Sequence, residues 1–410
     1  MPRRFTGGDW QNTCNSMRGE TLNVPPPTSE ASTERLPHHL LFSISARIGG
    51  AGLDTDAFEA LRASHRGGFL GKAIAYDNRQ SEIPNIRSLR WHPIRLLSSL
   101  PRAQYYGAKK KYLGWISARE LATGRYDLFH SWSGDCLEAL RAARAKRIPS
   151  LIEIPTWHRD FGQMKNIATT KARNWRERML LTHERFLEEY QLADVIVVLS
   201  QKAAESFRAR GFAEEKLHYL PRGVDVERFK PGKRPEKFRV IFSGALIERK
   251  GIHHLLEAWH RLDLPNAELW LVGSVHQEAK PHLQKYWRDN IRTIGFAQRP
   301  EDFLSQGTIH VFPSQLEGSA KTTYEAAACG LPQVITRESG DVVRDREEGL
   351  IVSPGDVDAI AEAIRYFFDN PSEAERMGAN ARQRVVDNFT WDHYRTRLQD
   401  AYSHALEVAS

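Results

Sequence analysis

Short apolar runs alternate with longer amphipathic stretches along most of this chain. The runs are four to seven residues long, which is the length of a strand, and they are rich in Val, Ile, Leu and Phe. Runs of this kind separated by helical stretches are typical of a parallel sheet covered by helices on both faces. We predict strands at residues 39–45, 127–130, 150–154, 194–200, 238–243, 268–272, 309–312 and 333–336. Helices are predicted at residues 53–64, 136–147, 173–190, 201–210, 251–262, 321–329, 356–370, 372–388 and 391–405.

The alternation occurs twice, and a turn-rich basic segment separates the two series. Two Rossmann-like α/β domains of similar size would face each other across a cleft, which is where ligands bind in such proteins. The predicted parts are a polar tail at 1–36, a first α/β domain at 37–218, a linker at 219–236, a second α/β domain at 237–390 and a C-terminal helix at 391–410.

Composition and charge narrow the class of protein. Of the 410 residues, 41% are hydrophobic and 27% are charged, which is ordinary for a globular protein. The net charge is +7 and is uneven, because residues 1–218 hold 33 Lys and Arg against 23 acids while residues 219–410 hold 25 against 28. The basic first half indicates an anionic partner, and nucleic acid, an acidic membrane surface and an anionic substrate all fit this excess.

The cysteines and apolar segments exclude several other classes. Cys14, Cys136 and Cys329 form no CxxC pair, which excludes a zinc ribbon and a thioredoxin-type site. Scattered thiols suit a reducing cytosol. No uncharged apolar run reaches the length of a membrane span, and the first 35 residues hold no apolar segment typical of a secretory signal. We therefore expect a cytoplasmic protein.

The strongest chemical pattern lies between two glutamates that stand eight positions apart, Glu317 and Glu325. Gly318, Ser319 and Ala320 between them open a predicted helix, whose free N–H groups and dipole can hold an anion. Small side chains there let a ligand approach the backbone, and the flanking carboxylates can accept hydrogen bonds from hydroxyls. A ligand with sugars on both sides of a phosphate would fit. The residues alone equally allow an interpretation without a ligand, in which Glu317 caps a loop and Glu325 is a solvent-exposed residue of a helix.

The chain from 39 to 405 resembles glycosyltransferase family 4, the retaining nucleotide-sugar transferases of the GT-B fold. The resemblance is carried, in this order, by residues 193–200, 220–225, Gly244-Ala245-Leu246 with Lys250-Gly251, Pro313-Ser314 with Glu317-Gly318, residues 325–332 and Pro354-Gly355-Asp356. It implies two Rossmann-like domains and a C-terminal helix that returns to the first domain. It also implies transfer of a hexose from a nucleotide diphosphate sugar to a glycan or lipid-linked acceptor in surface polysaccharide or glycolipid synthesis.

The resemblance also implies roles for individual residues. Glu317 would hold hydroxyls of the donor sugar, and Glu325 would hold the ribose. Lys250 would neutralise the diphosphate, and His158 would lie near the transferred sugar. The implied catalytic or positioning residues are Glu317, Lys250 and His158. The implied donor-binding residues are Gly49, Gly50, Gly244, Lys250, Glu317, Gly318, Ser319, Ala320, Lys321, Thr322 and Glu325.

No metal and no cofactor are expected, since the nucleotide sugar is a substrate. The family is thought to work by front-side displacement, in which the leaving phosphate helps to deprotonate the acceptor. The two Asp-x-Asp sequences at Asp54 and Asp356 open predicted helices, where Asp is a favoured cap, so we interpret them as caps rather than metal sites. His130 follows a strand, and a place in the cleft and a structural role are both open.

One departure from the family pattern concerns the phosphate site. Ala245 stands where the family has an arginine, and Arg249 or Lys321 would have to supply the missing charge. A protein that binds nucleotide sugars but turns them over weakly is therefore the main alternative function, and a phosphorylase-like enzyme is a more remote one. A second departure, Ser319-Ala320-Lys321 in place of an aromatic residue and a glycine, keeps the small residues and adds a cation.

The segment Arg87 to Trp115 carries seven Lys and Arg and no acid, interleaved with aromatic residues. Such a segment can stack bases or lie in a membrane interface, and the resemblance to the family implies peripheral docking on the inner membrane face. A solvated basic surface is the alternative, and nucleic acid is disfavoured because no known motif for it is present.

Overall fold

Two parallel sheets form the scaffold of the protein. The structure is a computed structural model that describes residues 38–50, 53–161 and 179–409. The first sheet has the strand order β3-β2-β1-β4-β5-β6-β7 and the second has the order β10-β9-β8-β11-β12-β13. The strands of the first sheet are β1 (Leu40–Ile48), β2 (Leu70–Asn78), β3 (Ile86–Ser88), β4 (Leu128–Trp132), β5 (Ser150–Ile154), β6 (Val195–Val198) and β7 (Leu217–Tyr219). Those of the second are β8 (Phe238–Ser243), β9 (Ala267–Val272), β10 (Ile291–Gly295), β11 (Ile309–Phe312), β12 (Gln333–Ile335) and β13 (Gly349–Ile351).

Helices connect successive strands and cover both sheets. In the described ranges they are α1 (Leu53–Arg66), α2 (Arg102–Thr123), α3 (Leu137–Ala145), α4 (His183–Leu192), α5 (Gln201–Arg208), α6 (Ile252–Arg261), α7 (Lys280–Tyr286), α8 (Glu301–Leu304), α9 (Lys321–Ala328), α10 (Val357–Asp369), α11 (Pro371–Asn388) and α12 (Trp391–Val408). Short 3-10 turns lie at Pro93–Leu97, Glu214–Lys216, Glu248–Lys250, Gln277–Ala279 and Arg337–Ser339. The predicted fold class, two parallel α/β domains, is confirmed.

Some predicted elements differ from the structure. The helix expected at 173–190 begins at His183, where the side chain of Thr182 accepts a hydrogen bond from the amide of Arg185 and so caps the first turn. Residues 162–178, the tail at 1–36 with Cys14, and the pair 51–52 lie outside the described residues. Strand β2 and helix α2 have no counterpart in the sequence predictions.

The carboxyl ends of the two sheets face each other. The loop after β11 approaches the loop after β5, since a Cβ placed on Gly318 would lie 2.3 Å from the carbonyl oxygen of Pro155. The amide of Gln201, which follows β6, donates to Asp341, which follows β12, over 2.7 Å. Side chains that follow the strands of either sheet therefore meet in one cleft.

Helix α12 returns to the first domain, as the sequence predicts. Its buried residues Tyr394, Leu398 and Tyr402 belong to the same apolar core as strands β1 and β2. The Tyr402 hydroxyl lies 3.2 Å from the Ser64 hydroxyl of α1 and 2.9 Å from Nδ1 of His130. The last helix of the chain thus completes the core of the first domain.

Candidate active site

The turn after β8 places a lysine beside the loop after β11. The 3-10 turn Glu248–Lys250 ends at Gly251, whose backbone is left-handed at φ 73°. A Cβ at Gly251 would lie 2.0 Å from the carbonyl oxygen of Pro313, so only glycine allows the two segments to pack this closely. Gly244 at the end of β8 lies under the Lys250 side chain, because a Cβ there would be 3.5 Å from Cδ of Lys250.

Two cations converge on one carboxylate oxygen. Nζ of Lys250 lies 2.9 Å from Oε1 of Glu317, and Nη1 of Arg249 lies 3.0 Å from the same atom. The Lys250 ammonium also lies 4.9 Å from the centre of the Phe312 ring. Lys250 and Glu317 are largely buried, so the ion pair is shielded from water. Arg249, one of the two residues considered as substitutes for a cation at position 245, thus reaches Glu317.

Helix α9 begins at Lys321, directly after the small residues Gly318, Ser319 and Ala320 that follow Glu317. The sequence predicts a helix start at this place. The amide of Ala320 donates to the carbonyl oxygen of Ser339 over 2.8 Å, so it is already engaged in this structure. The hydroxyl of Thr322 is buried and lies 3.3 Å from Nε2 of His310. The N-terminal turn of α9 therefore combines structural hydrogen bonds with small residues that leave the backbone approachable.

Glu325 belongs to a second charged cluster. Burial raises the pKa of its carboxyl group, and the nearby cations Lys321 and Arg228 oppose that rise. Arg228 also pairs with Glu301 over 2.9 Å. Lys321 and Arg228 line a cavity of about 440 Å³ that extends to Glu59 of α1. Glu317 and Glu325 thus lie in separate charged clusters, Glu317 before the first turn of α9 and Glu325 within the helix.

Arg222, in the predicted linker, ties the two domains together and was not foreseen as a site residue. Its Nε donates to the carbonyl oxygen of Ser319 over 2.8 Å, and its Nη1 pairs with Asp56 of α1. Burial opposes the charge of Arg222, yet Asp56 holds its pKa above the ordinary value. The cap interpretation of the first Asp-x-Asp sequence stays a prediction; both aspartates lie in the first turn of α1, where Asp56 forms this ion pair and Asp54 accepts from the Arg47 amide near the end of β1. The second interpretation holds, since Asp356 caps α10 by accepting from Ala359 over 2.9 Å.

The predicted residues of the first domain fall into two groups. Gly49 turns the chain after β1 at φ 85°, and the Gly50 amide donates to the carbonyl oxygen of Arg47 over 2.8 Å. They lie at the carboxyl edge of the sheet, on the cleft side. His158 instead lies inside an aromatic cluster, with ring centres 5.1 Å from Tyr190 and 5.0 Å from Phe207.

The environment of His158 keeps its imidazole neutral. Burial lowers the pKa of His158 to about 4. Its Nδ1 accepts from the amide of Asp160 over 3.1 Å, which fixes the ring. A neutral, anchored histidine can position neighbours, but it carries no charge for the phosphate at pH 7.

His130 is structural rather than cleft-lining. It is fully buried, and its Nε2 lies 3.1 Å from Oε1 of Glu153 while Nδ1 meets Tyr402. Within the described residues, no group of three or more His, Cys, Asp or Glu side chains is arranged to hold a metal ion. None of the helices described here is both long enough and apolar enough to cross a membrane.

Two established sequence families match this chain. The pattern of the family described as Glycosyltransferase Family 4 matches residues 73–228, and that of Glycosyl transferases group 1 matches residues 224–384. Together the two matches run through both domains. The chain belongs to glycosyltransferase family 4.

Relatives and solved structures agree with this family. The chain is 28% identical over 307 residues to an MMP alpha-(1->4)-mannosyltransferase of Mycolicibacterium hassiacum, which covers 71% of this chain and 74% of the relative. It is 29% identical over 180 residues to the capsular polysaccharide biosynthesis glycosyltransferase CapM of Staphylococcus aureus. This match covers 42% of this chain and 47% of the relative. The structure of Anabaena HepE in complex with UDP-glucose superposes with a TM-score of 0.65 at 17% identity, covering 88% of this chain and 98% of that one. The fold of this family 4 glycosyltransferase is GT-B.

Proposed function

We propose that this family 4 glycosyltransferase transfers a hexose, with retention of anomeric configuration, from a nucleotide diphosphate sugar to a glycan or lipid-linked acceptor. The observation that carries the proposal is the convergence of Lys250 and Arg249 on Glu317, directly before the N-terminal turn of α9. Two cations and a helix N-terminus supply positive charge for a diphosphate, and a carboxylate beside them can hold sugar hydroxyls.

The chemistry follows from these positions. The bond from the anomeric carbon to the diphosphate breaks, and Lys250 and Arg249 stabilise the negative charge that the leaving nucleotide gains. The Glu317 carboxylate is engaged by two cations, and His158 is enclosed by aromatic rings. Neither side chain is placed to take the acceptor proton. We assign that proton to a phosphate oxygen of the leaving group on the same face of the sugar, which gives retention.

Nucleotide release tests the transfer reaction. The pure protein is incubated with UDP-, GDP- and ADP-sugars, with and without EDTA, in the presence of a crude glycolipid extract as acceptor. We expect release from one donor that EDTA does not reduce and that Glu317→Ala lowers by about a hundredfold or more, as for loss of a transition-state contact. Arg292→Ala, an exposed site of the same domain, serves as control. NMR of the product then reports the anomeric configuration.

The alternative, a nucleotide-sugar-binding protein with weak turnover, rests on Ala245. Thermal stabilisation by one nucleotide sugar without release in any mixture would favour it. Neither stabilisation nor release from a folded sample would contradict the donor-site assignment.

We also propose that the first domain docks on an anionic bilayer at the inner membrane face. Trp91 and Leu96 are 82% and 87% exposed, although burial is the usual fate of such large apolar side chains. The Arg95 guanidinium lies 4.8 Å from the Trp91 ring, and Arg119 lies 5.0 Å from the ring of exposed Trp115. Arginines beside exposed indoles are complementary to lipid phosphates over acyl chains.

Vesicle sedimentation tests the docking. The protein should pellet with vesicles of phosphatidylglycerol and not with vesicles of phosphatidylcholine, because the face is basic. The double variant Trp91→Ala, Leu96→Ala should reduce the bound fraction severalfold, whereas Trp287→Ala, an exposed tryptophan of the second domain, should not. Equal losses for both variants would contradict a specific docking face.

A further inference from the structure

A basic pocket lies at the carboxyl edge of the first sheet, next to the Gly49 turn. Arg47 stands near the end of β1, in register with Asp77 of β2. The preceding residue of β2, Tyr76, is buried on the side of the sheet that α2 covers. From α2, the Lys109 ammonium lies 3.9 Å from the centre of the Tyr76 ring and 5.7 Å from that of Tyr105.

The two cations of this pocket have no acidic partner. The neighbouring lysine, Lys110, pairs with Asp135. In contrast, neither Arg47 nor Lys109 forms an ion pair with a carboxylate in the part of the chain that the structure describes. Lys109 is half-buried, and both burial and the charge of Arg47 lower its pKa. Two cations that repel each other, Lys109 half-buried and Arg47 exposed, are more stable when an anion lies between them.

Two buried polar atoms in the same pocket also lack partners. The hydroxyl of Tyr76 and Nδ1 of His92 form no hydrogen bond within the described residues, although both side chains are more than nine-tenths buried. His92 lies close enough to Lys109 for that charge, after burial, to lower its pKa. Buried polar groups of this kind are rarely left unsatisfied in a native protein. The pocket thus offers hydrogen-bond donors and positive charge, and the Asp135 carboxylate, which lies near Tyr76, is paired with Lys110.

We propose that this pocket binds a phosphate group of the acceptor, an inference that rests on the proposed transferase function. A phosphoryl ester presents several acceptor oxygens, which suit the Arg47 guanidinium, the Lys109 ammonium and the Tyr76 hydroxyl. Arg47 is two residues before Gly49 on the cleft edge, so a phosphate held here keeps the rest of the acceptor near the donor site. The acceptor is therefore a phosphorylated saccharide or polyol.

The phosphate has two possible sources, a soluble sugar phosphate and a lipid headgroup. The same pocket serves both, and His92 is the direct neighbour of Trp91 on the proposed membrane face. A test must therefore present one phosphoryl group in soluble form and in lipid form.

Calorimetry with glycerol 3-phosphate on protein saturated with its nucleotide diphosphate tests the pocket. We expect saturable binding to the wild type. Lys109→Gln and Arg47→Gln should each weaken it by about tenfold or more, because each removes a charged hydrogen-bond donor. Arg125→Gln, which removes one exposed charge between the end of α2 and the start of β4, should leave it within about twofold. Vesicles of phosphatidic acid in phosphatidylcholine form the lipid arm with the same variants.

The outcomes separate this inference from the proposed function. Loss of binding in Lys109→Gln and Arg47→Gln, with nucleotide binding unchanged, supports the pocket, and the arm that binds more tightly identifies the source. Nucleotide binding without any phosphate binding overturns the pocket and leaves the proposed function intact. Equal losses in all three variants overturn it as well, since only surface charge would then matter. Phosphate binding without nucleotide binding overturns the proposed function instead.

Discussion

Arg249 shows how one position can supply the charge that a neighbouring position lacks. Ala245 lies in the loop after β8, where its side chain has no charge to offer. Arg249 precedes Lys250 in the 3-10 turn, and its guanidinium reaches the oxygen of Glu317 that Lys250 also contacts. The proposed diphosphate site therefore keeps two cations, and both come from adjacent residues of one turn.

The variant Arg249→Ala should raise the Michaelis constant for the donor sugar by about tenfold, since a lost contact between charged groups on a shielded phosphate costs that much or more. Adding Ala245→Arg to this variant should restore part of the loss. Donor titrations of initial velocity and calorimetry with the nucleotide diphosphate measure both effects, with Arg292→Ala as the control. An unchanged Michaelis constant in Arg249→Ala would assign the second charge elsewhere.

His158 gives a pH dependence to stability. Its pKa of about 4 in the folded protein lies below the value near 6.5 of an exposed histidine, because burial opposes its charge. The folded state therefore binds fewer protons between these values, and stability is full above pH 6.5 and falls as the pH drops toward 4. His158→Gln cannot titrate there and should lose less stability than the wild type over this range, by up to about 3 kcal/mol.

Urea unfolding at pH 7, 6, 5 and 4.5 measures this difference, with equal denaturant slopes showing that the variant folds as the wild type does. Parallel stability curves for the two proteins would mean that His158 titrates alike in both states. Other buried histidines add to the slope of the wild type, so only the difference between the two curves reports on His158.

At the scale of elements, periodicity predicted the strands whose apolar runs are unbroken. It missed elements in which some buried positions carry glycine, alanine or polar residues. Helix α2 buries Gly107, Ala108 and Gly114 beside larger residues, so its inner face looks polar or neutral in sequence. The reason is close packing, since a Cβ at Gly107 would lie 2.0 Å from the carbonyl oxygen of Met179. Strand β2 begins with Leu70-Gly71-Lys72 and resembles a turn until its partner β1 is known.

The candidate site also contains residues whose positions could be inferred from the sequence and one whose role could not. Lys250 and Glu317 follow β8 and β11, which are neighbours in a parallel sheet, so their proximity could be inferred from order along the chain. The role of Arg222 could not, because a linker residue reveals nothing about the distant Asp56 that it meets. Contacts between domains depend on how the two sheets are set against each other, and no local pattern records this.

For the whole molecule, contacts among the described residues join the two sides of the cleft. Arg222 bridges Asp56 and Ser319, Gly318 packs against Pro155, and the Gln201 amide donates to Asp341. Burial raises the pKa of Asp341 to about 6. The free energy gained from this contact is therefore reduced by the cost of removing water from a carboxyl group. Separating the domains breaks a buried ion pair, whose partners then need water.

The return of helix α12 sets an order for folding during synthesis. A ribosome delivers the first domain early, and domains of most proteins fold as they emerge. Here Leu398 and Tyr402, which fill the core under β1 and β2, are translated after the whole second domain. The second domain, made later, holds its own core within residues 224–389. The core of the first domain is therefore completed only after the second domain has been made, and until then it exposes an apolar surface that chaperones can recognise.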